Sequence, residues 1–114
     1  MRITRERVEG GRPGRSEVIS PAGEVDMHES PALREALLAA VAARPGAVVA
    51  DLSGVTFMDS SGVATLVEAM KAAKAAGVRF SLCSMSGKVR DVFELARLDK
   101  FFTLAATRRE ALEG

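Results

Sequence analysis

The tightest constraint on the fold is the run Ala47-Val48-Val49-Ala50-Asp51-Leu52, whose first four residues are apolar at odd and even positions alike. Successive side chains of a strand point to opposite faces, so a strand apolar on both belongs inside a sheet that is covered or tightly packed on each side. The flanking segments supply the cover. Ser30-Pro31 predicts a helix start, because serine can cap an orphan amide and proline at the first helical position has no amide to lose. Leu33, Leu37, Leu38 and Val41 then recur near one face, the helix runs to about Ala43, and Pro45-Gly46 stops it.

Downstream, Val55-Thr56-Phe57-Met58 reads as a strand, and Asp59-Ser60-Ser61-Gly62 as a tight polar loop. Val63, Leu66, Val67 and Met70 follow at helical intervals, in a helix that Gly77 ends. Val78, Phe80 and Leu82 alternate with Arg79, Ser81 and Cys83, the pattern of a half-buried strand. Ser86 is placed to cap a third helix through Val89, Val92, Phe93 and Ala96, and Leu98 to Leu104 suggests a return to the sheet. Thr107-Arg108-Arg109-Glu110 has capping-box spacing for a short last helix.

Strands alternating with helices after residue 30 imply an α/β layered domain whose parallel pairs are joined by right-handed crossovers. Before that point, Met1 to Val8 reads as an exposed strand, Gly10 to Gly14 as a loop, and Glu17 to Ser20 as the second arm of a hairpin. Pro21 and Gly23 are expected to interrupt that arm before Glu24-Val25-Asp26. With no repeat, low-complexity tract or linker, residues 1–114 are expected to form one domain.

Composition narrows the function. Sixteen Lys and Arg balance fifteen Asp and Glu, and Trp and Tyr are absent, so nucleic acid would find neither a basic field nor stacking platforms. One Cys and one His make neither a disulfide nor a zinc site, and no cofactor is expected. No apolar run approaches the roughly 18 residues of a membrane span, and charges fill residues 1 to 15 where a signal peptide would be apolar. A cytoplasmic protein without direct membrane insertion is expected.

Several residues invite a chemical reading that their surroundings do not support. His28, near Asp26 and Glu29, could be drawn with Ser60 as a triad, yet no G-x-S-x-G surrounds the serine, and His28 is expected as a loop residue. Gly10 to Gly14 lacks the G-K-[ST] ending of a nucleotide loop. Cys83 has no C-x-x-C partner and is expected to be buried. Glu68, Lys71 and Lys74 lie away from the apolar stripe of their helix, the usual place of a solvated face; Lys74 is expected there, and Glu68 is undecided between that face and a docking surface. Met27, Met58 and Met85 read as core fillers, although a partly exposed Met58 would give a partner a hydrophobic contact.

The chemically distinctive place is Asp59-Ser60-Ser61-Gly62, where a strand gives way to a helix. Unpaired amides and the positive end of the helix dipole converge there, so a hydroxyl carrying a phosphate fits without unfolding its surroundings. Phosphorylation would add about 1.5 to 2 negative charges beside Asp59 while the fold persists. The plainer alternative is that Ser60 or Ser61 only caps the helix.

Phe57-Met58-Asp59-Ser60-Ser61-Gly62, preceded by Asp51-Leu52-Ser53, resembles the STAS domain of anti-sigma factor antagonists. The likeness extends through Gly23-Glu24-Val25-Asp26, Pro31-Ala32-Leu33-Arg34, Lys71 to Leu82 and Val89 to Phe102, and covers about residues 16 to 112, with residues 1–15 weakly matched. It implies a STAS-like layered fold: a mixed sheet of four to five strands with about four helices. It further implies that Ser60 accepts phosphate from an anti-sigma factor that is also a serine kinase, with Ser61 the nearest competitor. Met58, Asp59, Ser61 and Gly62 would form the switch loop, in which Asp59 shapes the turn and Gly62 allows close backbone approach. The unphosphorylated protein would bind the anti-sigma factor and free sigma; the phosphorylated protein would release it until a serine phosphatase restores the hydroxyl. The chain itself would catalyse nothing. Ala64 stands where such antagonists commonly have a second glycine. STAS domains with such helices also serve as accessory subunits of lipid-transporting ABC systems and in stressosome scaffolds, which is the alternative function.

Overall fold

The computed structural model describes residues 1–9 and 14–113. Its element order is β1 (Arg2–Val8), β2 (Ser16–Val25), α1 (Ser30–Ala42), β3 (Ala47–Asp51), β4 (Gly54–Met58), α2 (Ser60–Ala76), β5 (Arg79–Cys83), α3 (Gly87–Leu95), β6 (Leu104–Ala105) and α4 (Arg108–Glu113). The α/β reading holds. Within the expected loop Gly10 to Gly14, residues 10–13 lie outside the described residues.

The sheet runs β1-β2-β3-β5-β6, with β4 also paired to β2. β1 and β2 form the antiparallel hairpin, and every other pairing is parallel. All five residues of β3 are buried at the sheet centre, as the unbroken apolar run requires. The described sheet has six strands, where four to five were expected. One reason is β1, which pairs along seven residues and is locked by the buried Glu17. Its Oε1 lies 2.6 Å from Arg5 Nε and its Oε2 3.5 Å from Arg7 Nε. The other reason is the two-residue β6.

Side-chain alternation divides the core. Ile19, Val48, Ala50 and Leu82 face one cluster with Leu33 and Leu37 of α1, Leu66 and Ala69 of α2, and Val89 and Phe93 of α3. Val18, Val49 and Cys83 face the other side, where Ala111 of α4 covers them. β5 is therefore buried on both faces along Ser81–Cys83, and not half-buried as its alternation predicts. Arg108 ties α4 down: its Nε is 2.9 Å from Asp51 Oδ2, its Nη1 3.0 Å from Glu6 Oε1, and its Nη2 3.1 Å from Ser20 Oγ.

β2 is continuous through Pro21, contrary to the expected break. It pairs β3 through Ser16–Ile19 and β4 through Ala22–Val25, so Pro21 occupies the stretch between its two parallel partners, where a missing amide disrupts neither ladder. The start of α1 also differs. Ser30 is already helical, Glu29 occupies the cap position without a side-chain bond, and Asp26 closes the turn by accepting the amides of His28 and Glu29, each at 3.0 Å. The segment 98–103 makes turns, and only Leu104–Ala105 rejoins the sheet. Gly77 (φ +72°), Ser86 and Thr107 terminate or begin their helices as read. No helix among the described residues is long and apolar enough to cross a membrane.

Candidate functional site

β4 delivers the chain to α2 at the carboxyl edge of the sheet, through Asp59 in extended conformation. The Asp59 amide donates to Val25 O at 3.2 Å, so the loop is anchored to β2. Its carboxylate then caps α2: Oδ1 accepts the Ser61 amide at 2.9 Å, the Gly62 amide at 3.3 Å and the Ser61 hydroxyl at 2.5 Å. The cap is thus Asp59, and neither Ser60 nor Ser61 supplies it. An acceptor one residue earlier reaches the N2 and N3 amides, the geometry a capping side chain needs. The Ser61 hydroxyl bond, with the Ser61, Gly62 and Met27 amides, outweighs desolvation and holds the Asp59 carboxyl below the usual carboxylate range.

The two serines differ. Ser61 is half-buried and committed to Asp59; Ser60 is exposed, and among the described residues no hydrogen bond engages its hydroxyl. Gly62 is buried against β4 and β2: a Cβ there would lie 2.7 Å from Met58 Cγ and 2.9 Å from Val25 Cγ1. Close backbone approach at Gly62 therefore serves packing within the fold.

Met58 requires a correction. It is 2% exposed, because its side chain points inward beneath Gly62, and it offers a partner no contact surface. Strand alternation turns its neighbour Phe57 outward, to 42% exposure, a residue the reading of the motif passed over. Met27, expected to fill core, is 71% exposed in the turn between β2 and α1. His28 is exposed in the same turn. Cys83 is fully buried, and burial pushes its thiol pKa up, which suppresses the reactive thiolate. Glu68 pairs with Arg34 of α1 at 2.5 Å.

Beside the loop lies a groove of about 400 Å³ between α2 and α3. Val63, Ala64 and Val67 form one wall, Val92, Ala96 and Leu98 the other, and Ser60 closes its end. Sequence spacing identified both apolar stripes but not their separation, which depends on how the sheet sets the two helices side by side. Among the described residues, no group of His, Cys, Asp and Glu is arranged to hold a metal ion.

Comparison with known proteins agrees with the fold. The STAS domain profile matches residues 12–111. Over 97 residues the chain is 37% identical to the anti-sigma-F factor antagonist RsfB of Mycobacterium tuberculosis, covering 85% of this chain and 79% of that protein. An anti-sigma factor antagonist from Mycobacterium paratuberculosis superposes with a TM-score of 0.82 at 33% identity, covering 97% of this chain and 92% of that one. The anti-sigma factor antagonist SpoIIAA in its unphosphorylated form gives 0.79 at 27% identity (98% and 94% covered). The Bacillus protein in its phosphorylated form gives 0.68 at 26% (96% and 97% covered). With the capped strand-to-helix loop, the layered sheet and these matches in hand, the chain belongs to the STAS domain family.

Proposed function

We propose that this chain is an anti-sigma factor antagonist that works by partner switching, with Ser60 as the phosphate acceptor. The observation that carries the reading is the unlike state of two adjacent hydroxyls: Ser60 is exposed and unengaged, while Ser61 is bound to Asp59. A kinase docking on this loop meets one available nucleophile, already positioned by a capped helix. The relatives named above carry the same role in their names, and one of them has been solved in both phosphorylation states.

The chemistry asked of the chain is small. An anti-sigma factor with serine kinase activity binds ATP and transfers its γ-phosphoryl to the Ser60 oxygen; the bond from the γ-phosphorus to the β–γ bridging oxygen breaks, ADP leaves, and the hydroxyl proton passes to a kinase base or to solvent. The product carries about 1.5 to 2 negative charges at the N-terminus of α2, where the helix dipole favours an anion while the Ser61 and Gly62 amides stay committed to the Asp59 carboxylate. The fold persists, and the surface once presented to the anti-sigma factor becomes anionic and hydrated. A serine phosphatase hydrolyses the ester and restores binding. The chain acts in the cytoplasm as one domain, contributes no catalytic group and requires no cofactor.

The test is affinity capture from native lysate followed by phosphosite mapping. Recovery of a kinase-type anti-sigma factor that places phosphate on Ser60 supports the reading. Recovery of an ABC-transporter ATPase or a stressosome core, with Ser60 unmodified, overturns it.

A further inference from the structure

We infer that the groove between α2 and α3 receives an amphipathic helix of the partner protein, one with aliphatic side chains along its buried face and acidic residues flanking them. The inference rests on the partner-binding reading for the identity of that protein, but its argument is separate. The groove walls carry no charge, and about 400 Å³ is room for a few aliphatic side chains but not for a folded lobe. A charged or strongly polar segment would lose its hydration there with nothing in return. Exposed Leu95, 87% accessible and three residues after Val92, extends the apolar surface along α3.

Charge complementarity selects the flanks. Lys71 stands four residues after Val67, so helical periodicity carries the groove-facing stripe of α2 into an exposed lysine, and exposed Lys74 follows one turn on, beside the neighbouring pocket of Met70, Phe80 and Phe101. Lys88 stands four residues before Val92 and does the same for α3. Among the described residues none of the three is in an ion pair. Two nearby carboxylates are already engaged, Glu68 with Arg34 at 2.5 Å and Glu94 with Arg90 at 3.3 Å. Exposed Asp91 beside Lys88, with Asp59 next to Ser60 and Asp99 next to Leu98, offsets much of this charge, and exposed Arg97 between Ala96 and Leu98 adds to it, so four cations stand against three carboxylates around the groove. A helix with apolar centre and acidic ends is the complement, as in helix-in-groove recognition. Ser60 at the groove end connects this surface to the switch, because a phosphate there would repel acidic flanks and hydrate an apolar rim.

The experiment titrates the unphosphorylated full chain, methyl-labelled for NMR, with three synthetic 16-residue helical peptides. One presents a leucine face with glutamate flanks, one the same face with lysine flanks, and one replaces the leucines by serine. Expected are shifts at Val63, Val67, Val92 and Leu98 with the glutamate-flanked peptide, at least about fivefold tighter binding than with lysine flanks at low salt, and a smaller preference at high salt. The serine peptide should not bind. Ala64→Glu and Leu95→Glu, both at exposed helical positions, should each weaken binding severalfold, and Lys71→Glu with Lys88→Glu should reverse the flank preference. Absence of shifts, shifts confined to another surface, or a preference for lysine flanks overturns the inference. So does a chain that is already a dimer with a second copy in the groove. Because the peptides need no kinase, binding here alongside phosphate mapped away from Ser60 would defeat the acceptor assignment and leave the groove standing.

Discussion

Ser61 Oγ donates to Asp59 Oδ1 at 2.5 Å, and this bond separates the two serines of the loop into one structural and one available hydroxyl. Ser60→Ala should therefore abolish phosphate incorporation by the cognate kinase while changing urea stability by less than about 0.5 kcal/mol, as for an exposed site. Ser61→Ala should remain a substrate. Asp59→Ala removes the cap of α2 and should cost about 1 kcal/mol. Phosphopeptide mass spectrometry and urea unfolding check these outcomes, and a wild-type level of phosphate on Ser60→Ala contradicts the assignment.

Gly62 sets how closely α2 approaches the sheet. An added methyl would press on Met58 Cγ and Val25 Cγ1, each nearer than 3 Å. Overpacking of this kind costs about 1–3 kcal/mol, against up to about 1 kcal/mol gained in helix propensity. Gly62→Ala is expected to lower the unfolding midpoint and to weaken partner binding as the loop shifts; a midpoint at or above that of the wild type rules out this account.

Asp51 joins the sheet centre to α4 through Arg108. Burial raises the Asp51 carboxyl, but the Ser53 hydrogen bonds and the Arg108 guanidinium outweigh it and hold the net value below the ordinary carboxylate range. A carboxyl depressed in the folded state favours folding fully above its unfolded value near about 4, and loses that contribution as pH falls through the folded value. Asp51→Asn should cost about 1–2 kcal/mol at pH 7, with the gap to wild type closing below about pH 4. Urea titrations at pH 7 and pH 3 measure it, and an equal gap at both would refute the linkage.

Gly77 ends α2 at φ +72°, a left-handed conformation that a Cβ disfavours. Open space surrounds the position, so Gly77→Ala isolates backbone strain from packing and should cost about 1 kcal/mol. No change in thermal midpoint would count against the cap.

What the sequence made legible was local. Gly77, Ser86 and Thr107 announced their helix ends because capping depends on neighbours within four residues, and the unbroken apolar run marked β3 as central. Asp59-Ser60-Ser61-Gly62 stood out as polar residues between two apolar elements. Less legible was whatever depends on tertiary neighbours. Pro21 resembles a strand breaker until the gap between β3 and β4 is known. Met58 and Phe57 differ in exposure only through the direction of one pleat. Asp51 and Arg108 are separated by 57 residues in sequence. The wall-to-wall distance of the α2–α3 groove is fixed by the sheet and by neither helix alone.

β2 spends its length beside two successive neighbours, β3 and then β4, and among the described residues β4 hydrogen-bonds to no other strand. The loop bearing Ser60 thus hangs from a strand that is hydrogen-bonded along one edge only and otherwise held by the packing of Val55 and Met58 into the core. A partner that tugs on it loads the hairpin first and leaves the β3–β5 ladder untouched, so amide protons of β4 should exchange with deuterium well before those of β3. Under the partner-switching proposal, the strain of docking would fall on the rim strand β4 before it reached the central β3.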